Sequence, residues 1–203
     1  LENEANLSAL AEKTFVENHK NLIHVSIHAG VGAGIILDHH LYTGLTGTAG
    51  EAGHMIVQPG GRSCPCGNHG CLEQYISEPA VLSRYRALSG RTTVSIDDLV
   101  WAYNQKENAA LTVTDGFTTY LACGINNLWN LFSPECIILN SQLTAYLPQL
   151  LPEILQKLSP RFRATCHLKL STLQDTGVLL GAARVCISKY LGTEKLYFSG
   201  LQP

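Results

Sequence analysis

The chain has 203 residues, a formal net charge of -2, 45% hydrophobic residues and only 15% charged ones. That length sustains one or two domains with a sizeable core, and the charged share lies below the ~25% of an average soluble protein, so a partner or further chain is expected to cover part of the surface. The balance excludes a basic surface able to grip nucleic acid by itself, and no apolar run reaches the ~18 residues of a membrane-spanning helix.

The N-terminus lacks the charged-then-apolar order of a signal peptide, and the sequence starts at Leu1 directly in helix-like residues. Both lead to the expectation of a fragment of a longer, cytoplasmic protein. Residues 3–19 place Ala5, Leu7, Leu10, Ala11, Thr14 and Phe15 near helical spacing. Asn3 and Glu4 stand at the start of that helix, where an amide and a carboxylate serve either as a capping pair or as ligand-binding groups. Residues 22–29 alternate strictly, with Ile23, Val25 and Ile27 on one face and His24, Ser26 and His28 on the other. The pattern predicts a half-buried strand with its histidines at the surface.

Gly30, Gly32 and Gly34 of the run GVGAG then make a corner before a second strand, Ile35 to Leu37, and a turn at Asp38–His40. Glycines between strands either let backbone N–H groups approach a phosphate or close a tight hairpin, and spacing leaves both open. The run is not a dinucleotide fingerprint, because a strand follows it rather than a helix. A third short strand is expected over 55–57, completing an antiparallel meander.

Residues 51–73 read EAGHMIVQPGGRSCPCGNHGCLE. Cys64, Cys66 and Cys71 with His54 supply three thiolates and one imidazole, the ligand set of a closed tetrahedral zinc site; His69 is an alternative to His54. Seven cysteines is an odd count, with three between positions 64 and 71, and in a cytosolic chain that spacing reads as metal rather than disulfide. The glycines at 60, 61, 67 and 70 allow the sharp bends that gather such ligands. Four protein ligands leave no position for water, so the role expected of zinc is structural. Glu51 and Glu73 flank the loop and stand either as solvated carboxylates or as functional groups held by it. Cys123, Cys136, Cys166 and Cys186 sit in apolar sequence and are expected to be buried thiols.

Beyond the cysteines the chain turns helical. A short helix is expected over 71–76, then a longer one capped by Ser77 with Pro79 in its first turn and Gly90 after its end. Ser95 with Asp98 resembles a capping box ahead of a helix at 99–103. Residues 107–132 form a long apolar-rich helix, 136–139 (CIIL) a buried parallel-type strand, and 145–158 a helix that Pro152 must kink or shorten. A strand at 167–170, a closing helix at 178–190 and a tail from 192 complete an α/β chain, better matched to one half of a two-lobed protein than to a complete doubly wound sheet.

Four segments in register resemble the ROK family of sugar kinases and sugar-responsive repressors. ENEAN at 2–6 is similar to its sugar-binding segment E-N-D-A-N, GVGAG to its second phosphate loop and EAGH at 51–54 to its E-x-G-H motif. CPCGNHGCLE at 64–73 is similar to its zinc motif C-x-C-G-x2-G-C-x-E. The resemblance implies an actin-like ATPase fold of ribonuclease-H-like type, here mainly its C-terminal lobe with a zinc loop. It also implies zinc on His54, Cys64, Cys66 and Cys71, and a sugar pocket lined by Asn3, Glu4, Glu51, His54 and Glu73. The departures bear on ATP. Glu4 stands where the kinases carry the Asp that takes a proton from the sugar hydroxyl, and the extra methylene shifts the carboxylate by roughly the 1 Å that can cost ~100-fold in rate. Asn140-Ser141-Gln142 stands where the family's kinases have the Gly-Gly turn that meets adenosine, and the family's first phosphate loop, an Asp followed by glycines, is not among these 203 residues. ENEAN resembles the xylose-operon repressors within the family, whose DNA-binding winged helix would lie before Leu1. The expectation is therefore a monosaccharide-sensing repressor domain, homodimeric or homotetrameric, reaching operator DNA through another domain. A sugar kinase with Glu4 as base and a purely structural oligomerisation module are the alternatives.

Overall fold

The computed structural model describes residues 3–16, 18–193 and 196; most of the expected tail falls outside them. In chain order the elements are α1 (Glu4–Ala11), β1 (Leu22–Ile27), β2 (Val31–Leu37), β3 (His40–Leu41), α2 (Glu73–Ile76), α3 (Glu78–Ser89), α4 (Ile96–Asn104) and α5 (Asn108–Phe132). Then follow β4 (Cys136–Ser141), α6 (Gln142–Tyr146), α7 (Leu150–Lys157), α8 (Pro160–Thr165), β5 (His167–Leu170) and α9 (Thr176–Leu191). α1 runs on into a single π-helical stretch, Glu12–Val16.

The strands form one sheet in the order β3-β2-β1-β4-β5. β1 is its hinge in topology: antiparallel to β2, parallel to β4, which in turn pairs in parallel with β5. The period-2 rule sets the two faces. Ile23, Val25 and Ile27 of β1, with Val31, Ala33 and Ile35 of β2, join the larger core beneath α2–α8, where Phe117, Leu121, Ile154 and Phe162 are buried. Leu22, Ile36, Cys136 and Ile138 point the other way and pack against Ala9 and Leu10 of α1. The result is three layers, with the sheet between α1 and α9 on one side and the remaining helices on the other. Among the described residues no helix is long and apolar enough to cross a membrane.

Local signals placed most helix ends correctly. Ser77 accepts the N–H of Ala80 at 3.4 Å, and Gly90 takes the left-handed conformation (φ 70°) at the end of α3. The Ser95–Asp98 box closes in both directions, at 2.8 and 3.2 Å, and the two Ser95 bonds hold the Asp98 carboxyl below its ordinary range.

Several expectations are corrected. His24 is 1% exposed rather than a surface group, because α1 covers the face that alternation alone leaves to solvent. Burial first, and then the charge of His28, pushes its imidazole down to about 3. The glycine corner is shorter than expected: Gly32 and Gly34 are strand residues of β2, and the chain reverses at 28–30. Residues 55–57 make an isolated bridge, Ile56 to Cys71, not a strand, and the outer strand of the meander is His40–Leu41. Asn140 and Ser141 extend β4 beyond the expected 136–139. The helix expected over 145–158 is two, α6 and α7, separated around Pro148, and α8 was not legible at all. Cys136 and Cys166 are buried thiols, but Cys123 and Cys186 are exposed.

Candidate functional site

The first residues of β2 draw three separate segments together. Gly34 carries no side chain, and a Cβ there would lie 2.2 Å from the Ala5 carbonyl and 2.5 Å from the Ala9 Cβ, so α1 rests directly on the strand. One pleat earlier a Cβ on Gly32 would touch that of Ala5 at 3.4 Å. This contact sets the N-terminus of α1, with Asn3 and Glu4, over the start of β2. Gly53 meets the same strand from another side, where a Cβ would fall 2.3 Å from the Val31 carbonyl. Gly50 accepts the N–H of Ala33 at 2.7 Å. The segment 50–54, with Glu51 and His54, is thereby docked on β2. The third tie is Glu73, whose Oε2 accepts the N–H of Val31 at 3.0 Å.

Asn3 is the N-cap of α1, its Oδ1 accepting the Ala5 N–H at 2.8 Å. Glu4 and Glu51 are exposed, whereas Glu73 and His54 are half-buried. Gly30, in the reversal before β2, is packed against the Glu73 carboxylate, 3.2 Å from where its Cβ would stand. The N–H of Val31 at this corner is thus already engaged by Glu73.

His54 faces two ways. Its Nδ1 lies 3.6 Å from Cys64 Sγ, and its Nε2 lies 3.9 Å from Glu51 Oε2. The ligand atoms of His54, Cys64, Cys66 and Cys71 all fall within 4.8 Å of one another. Cys66 and Cys71 are 3.6 Å apart. Thiolates at about 2.3 Å and an imidazole at about 2.0 Å around one tetrahedral ion would be separated by about 3.5–3.8 Å, so this group fits a metal ion of that kind. His69 stands outside the cluster, in a bridge to Ser63. The loop that carries the cysteines bends at Gly60, Gly67 and Gly70, with φ of 69°, 94° and 84°. Gly70 is also indispensable for space, since a Cβ would lie 1.7 Å from the Gln58 carbonyl. The Asn68 backbone N–H holds the exposed Cys66 thiol below its usual range. Burial, then the neighbouring thiols, pushes Cys71 up to about 12.

Sequence reasoning missed two neighbours of this cluster. Gln74 donates from Nε2 to Cys64 Sγ at 3.6 Å, and Arg62 Nη1 donates to the Gln74 backbone carbonyl at 2.6 Å. Only adjacency to Glu73 marks Gln74 in the sequence. An open groove of about 680 Å³ runs beside Glu73, with Arg62, Gln74, Ser77, Ser83 and Arg84 among its lining. Across β1 from Gly32, in register with Ser26, Asn140 is buried and its Nδ2 donates to the Gln174 carbonyl at 3.3 Å.

Residues 1–189 match the ROK family. The chain is 35% identical over 202 residues to the xylose repressor of Bacillus spizizenii, covering 97% of this chain and 52% of that protein. It thus spans about half the length of that relative. Among solved structures, a ROK family transcriptional regulator homologous to the E. coli MLC protein superposes with a TM-score of 0.76 at 32% identity, over 90% of this chain and 50% of that one. A ROK hexokinase from Thermus thermophilus superposes with a TM-score of 0.77 at 27% identity, over 90% and 63%. The sheet and its helices are those of the actin-like ATPase fold shared by such kinases, and the chain belongs to the ROK family.

Proposed function

We propose that this chain is the sugar-sensing part of a ROK-type transcriptional repressor, with a monosaccharide, xylose first, as its effector. Asn3, Glu4, Glu51, His54 and Glu73 would hydrogen-bond the sugar. The observation that carries this reading is the convergence at β2, where Gly34, Gly53 and Val31 bring the N-terminus of α1, the 51–54 segment and Glu73 to one place. Carboxylates, an amide and an imidazole are the groups that bind vicinal hydroxyls, and the likeness to a xylose repressor points to a pentose. Zinc on His54, Cys64, Cys66 and Cys71 would supply structure rather than chemistry, since four protein ligands exclude a reactive water. By holding His54 and Cys71 it would hold Glu51 and Glu73 in turn.

Sugar binding would favour one arrangement of the protein over another, and operator DNA would be released or gripped through a domain other than this one. Such a shift requires the sugar to prefer one state. Exposed Trp101 (56%) and Leu131 (73%) on the helical side support assembly as a homodimer or homotetramer. Titration calorimetry on the full-length protein is the test: xylose or another pentose or hexose should bind saturably, and an absence of heat for all of them removes the proposal.

The likeness to a hexokinase supports a second reading, an ATP-dependent sugar kinase with Glu4 as general base. A coupled ADP-release assay on the full-length protein decides between them. Turnover establishes the kinase; sugar binding without turnover rejects it.

A further inference from the structure

One turn of helix joins the metal-binding cluster to the candidate pocket. α2 is entered from Cys71, whose Sγ belongs to the cluster, and two residues later Glu73 holds the N–H of Val31. Gln74 comes next, half-buried, with Nε2 donating to Cys64 Sγ at 3.6 Å. Its backbone is fixed as well. Arg62 donates to the Gln74 carbonyl at 2.6 Å, lies 5.0 Å over the Tyr75 ring and gives its own N–H to the Tyr75 hydroxyl at 3.0 Å. Tyr75 in turn stacks on Tyr120 of α5 at 4.1 Å. The amide is therefore held at the thiol from a well-anchored backbone.

A metal-bound thiolate keeps lone pairs that attract N–H donors, and such a bond both fixes the sulphur's direction and withdraws charge from it. We propose that Gln74 is a positioning residue of the metal centre. Its side-chain amide holds Cys64 in place as a ligand and thereby locks the rotation of α2 that keeps Glu73 on Val31. This rests on the zinc reading above. A merely space-filling role would need the length of the side chain but not its N–H.

Gln74→Met separates the two, because it keeps the reach and removes the donor. In the full-length protein, competition against a chromophoric chelator should show zinc affinity lowered about tenfold or more. With cobalt(II) in place of zinc, the thiolate-to-metal charge-transfer band should move to lower energy, since sulphur without its N–H donor holds its electrons less tightly. A band that stays in place, whatever the affinity does, overturns the proposal. Should Gln74→Met fail to fold, Gln74→Glu keeps shape and polarity while losing the donor, and is read by the same band. Wild-type protein that takes up neither metal would overturn the zinc reading instead, so the two failures are distinct.

Discussion

Glu73 Oε2 accepts the backbone N–H of Val31 at 3.0 Å, so a carboxylate of the candidate pocket also closes the fold between α2 and β2. The two roles can be separated by substitution. A hydrogen bond to a charged group contributes about 1.5–3 kcal/mol, and Glu73 is only half-buried, so Glu73→Ala should cost about 1–2 kcal/mol in urea unfolding. Glu73→Gln keeps an acceptor for Val31 and should cost less, yet it removes the charge that a sugar hydroxyl would meet. Calorimetry should then show sugar affinity reduced by both variants while only the alanine unfolds early.

The metal cluster gives a second expectation. The full-length protein should carry about one zinc per chain by elemental analysis, lost in Cys66→Ala, and chelation should lower its melting temperature. Cys71 adds a pH signature to the metal-free form. Its folded pKa, about 12, lies above that of an unfolded thiol, so the stability it contributes is full below ~8.5 and declines as pH rises toward the folded value. Loading should remove this alkaline loss, because a metal-bound thiolate no longer has a proton to give up.

His24 titrates in the opposite sense. Its folded pKa, pushed down to about 3 by burial, lies below the ~6.5 of an exposed imidazole. Its contribution is therefore present above ~6.5 and lost as pH falls toward the folded value, at no more than about 1.4 kcal/mol per pH unit. Urea unfolding at pH 7 and pH 4 should show a steeper loss in the wild type than in His24→Gln, which has no proton to take up. Equal losses would mean that carboxylates alone govern the acid limb.

What the sequence made legible was local. Caps at Ser77 and Ser95 and the limits of β5 depend on residues a few positions apart, and the structure has all of them; it also brings His54, Cys64, Cys66 and Cys71 within 4.8 Å of one another. What it hid depends on packing between distant segments. His24 reads as polar-face strand sequence, and only the approach of α1 over Gly34 buries it. The same approach makes strand residues of the glycines expected in a loop. Residues 55–57 have strand-like composition but form a single isolated bridge, Ile56 to Cys71, flanked by backbone hydrogen bonds to Gly70 and Leu72. Gln74 has no sequence signature, since a hydrogen bond to sulphur imposes no spacing.

Gly34 offers the sharpest test of how α1 is held. Its φ is not in the left-handed region, so alanine is conformationally acceptable there and only space is at stake. The new methyl carbon would sit 2.2 Å from the Ala5 carbonyl oxygen and 2.5 Å from the Ala9 Cβ, both on the helix. Neither neighbour is a flexible side-chain end, so the helix itself must move. Overpacking of this kind costs typically about 1–3 kcal/mol, and Gly34→Ala should unfold at correspondingly lower urea. The displaced helix carries Asn3 and Glu4 at its N-terminus, so sugar affinity in calorimetry should fall further than Glu4→Gln alone lowers it. Gly60→Ala is the matched control: φ is 69°, nothing lies within 4 Å of the added Cβ, and the substitution should cost about 1 kcal/mol of backbone strain while leaving sugar affinity unchanged. If Gly34→Ala behaved like Gly60→Ala, α1 would not be seated on β2 through that glycine, and the convergence that brings Asn3 and Glu4 to the pocket would need another cause.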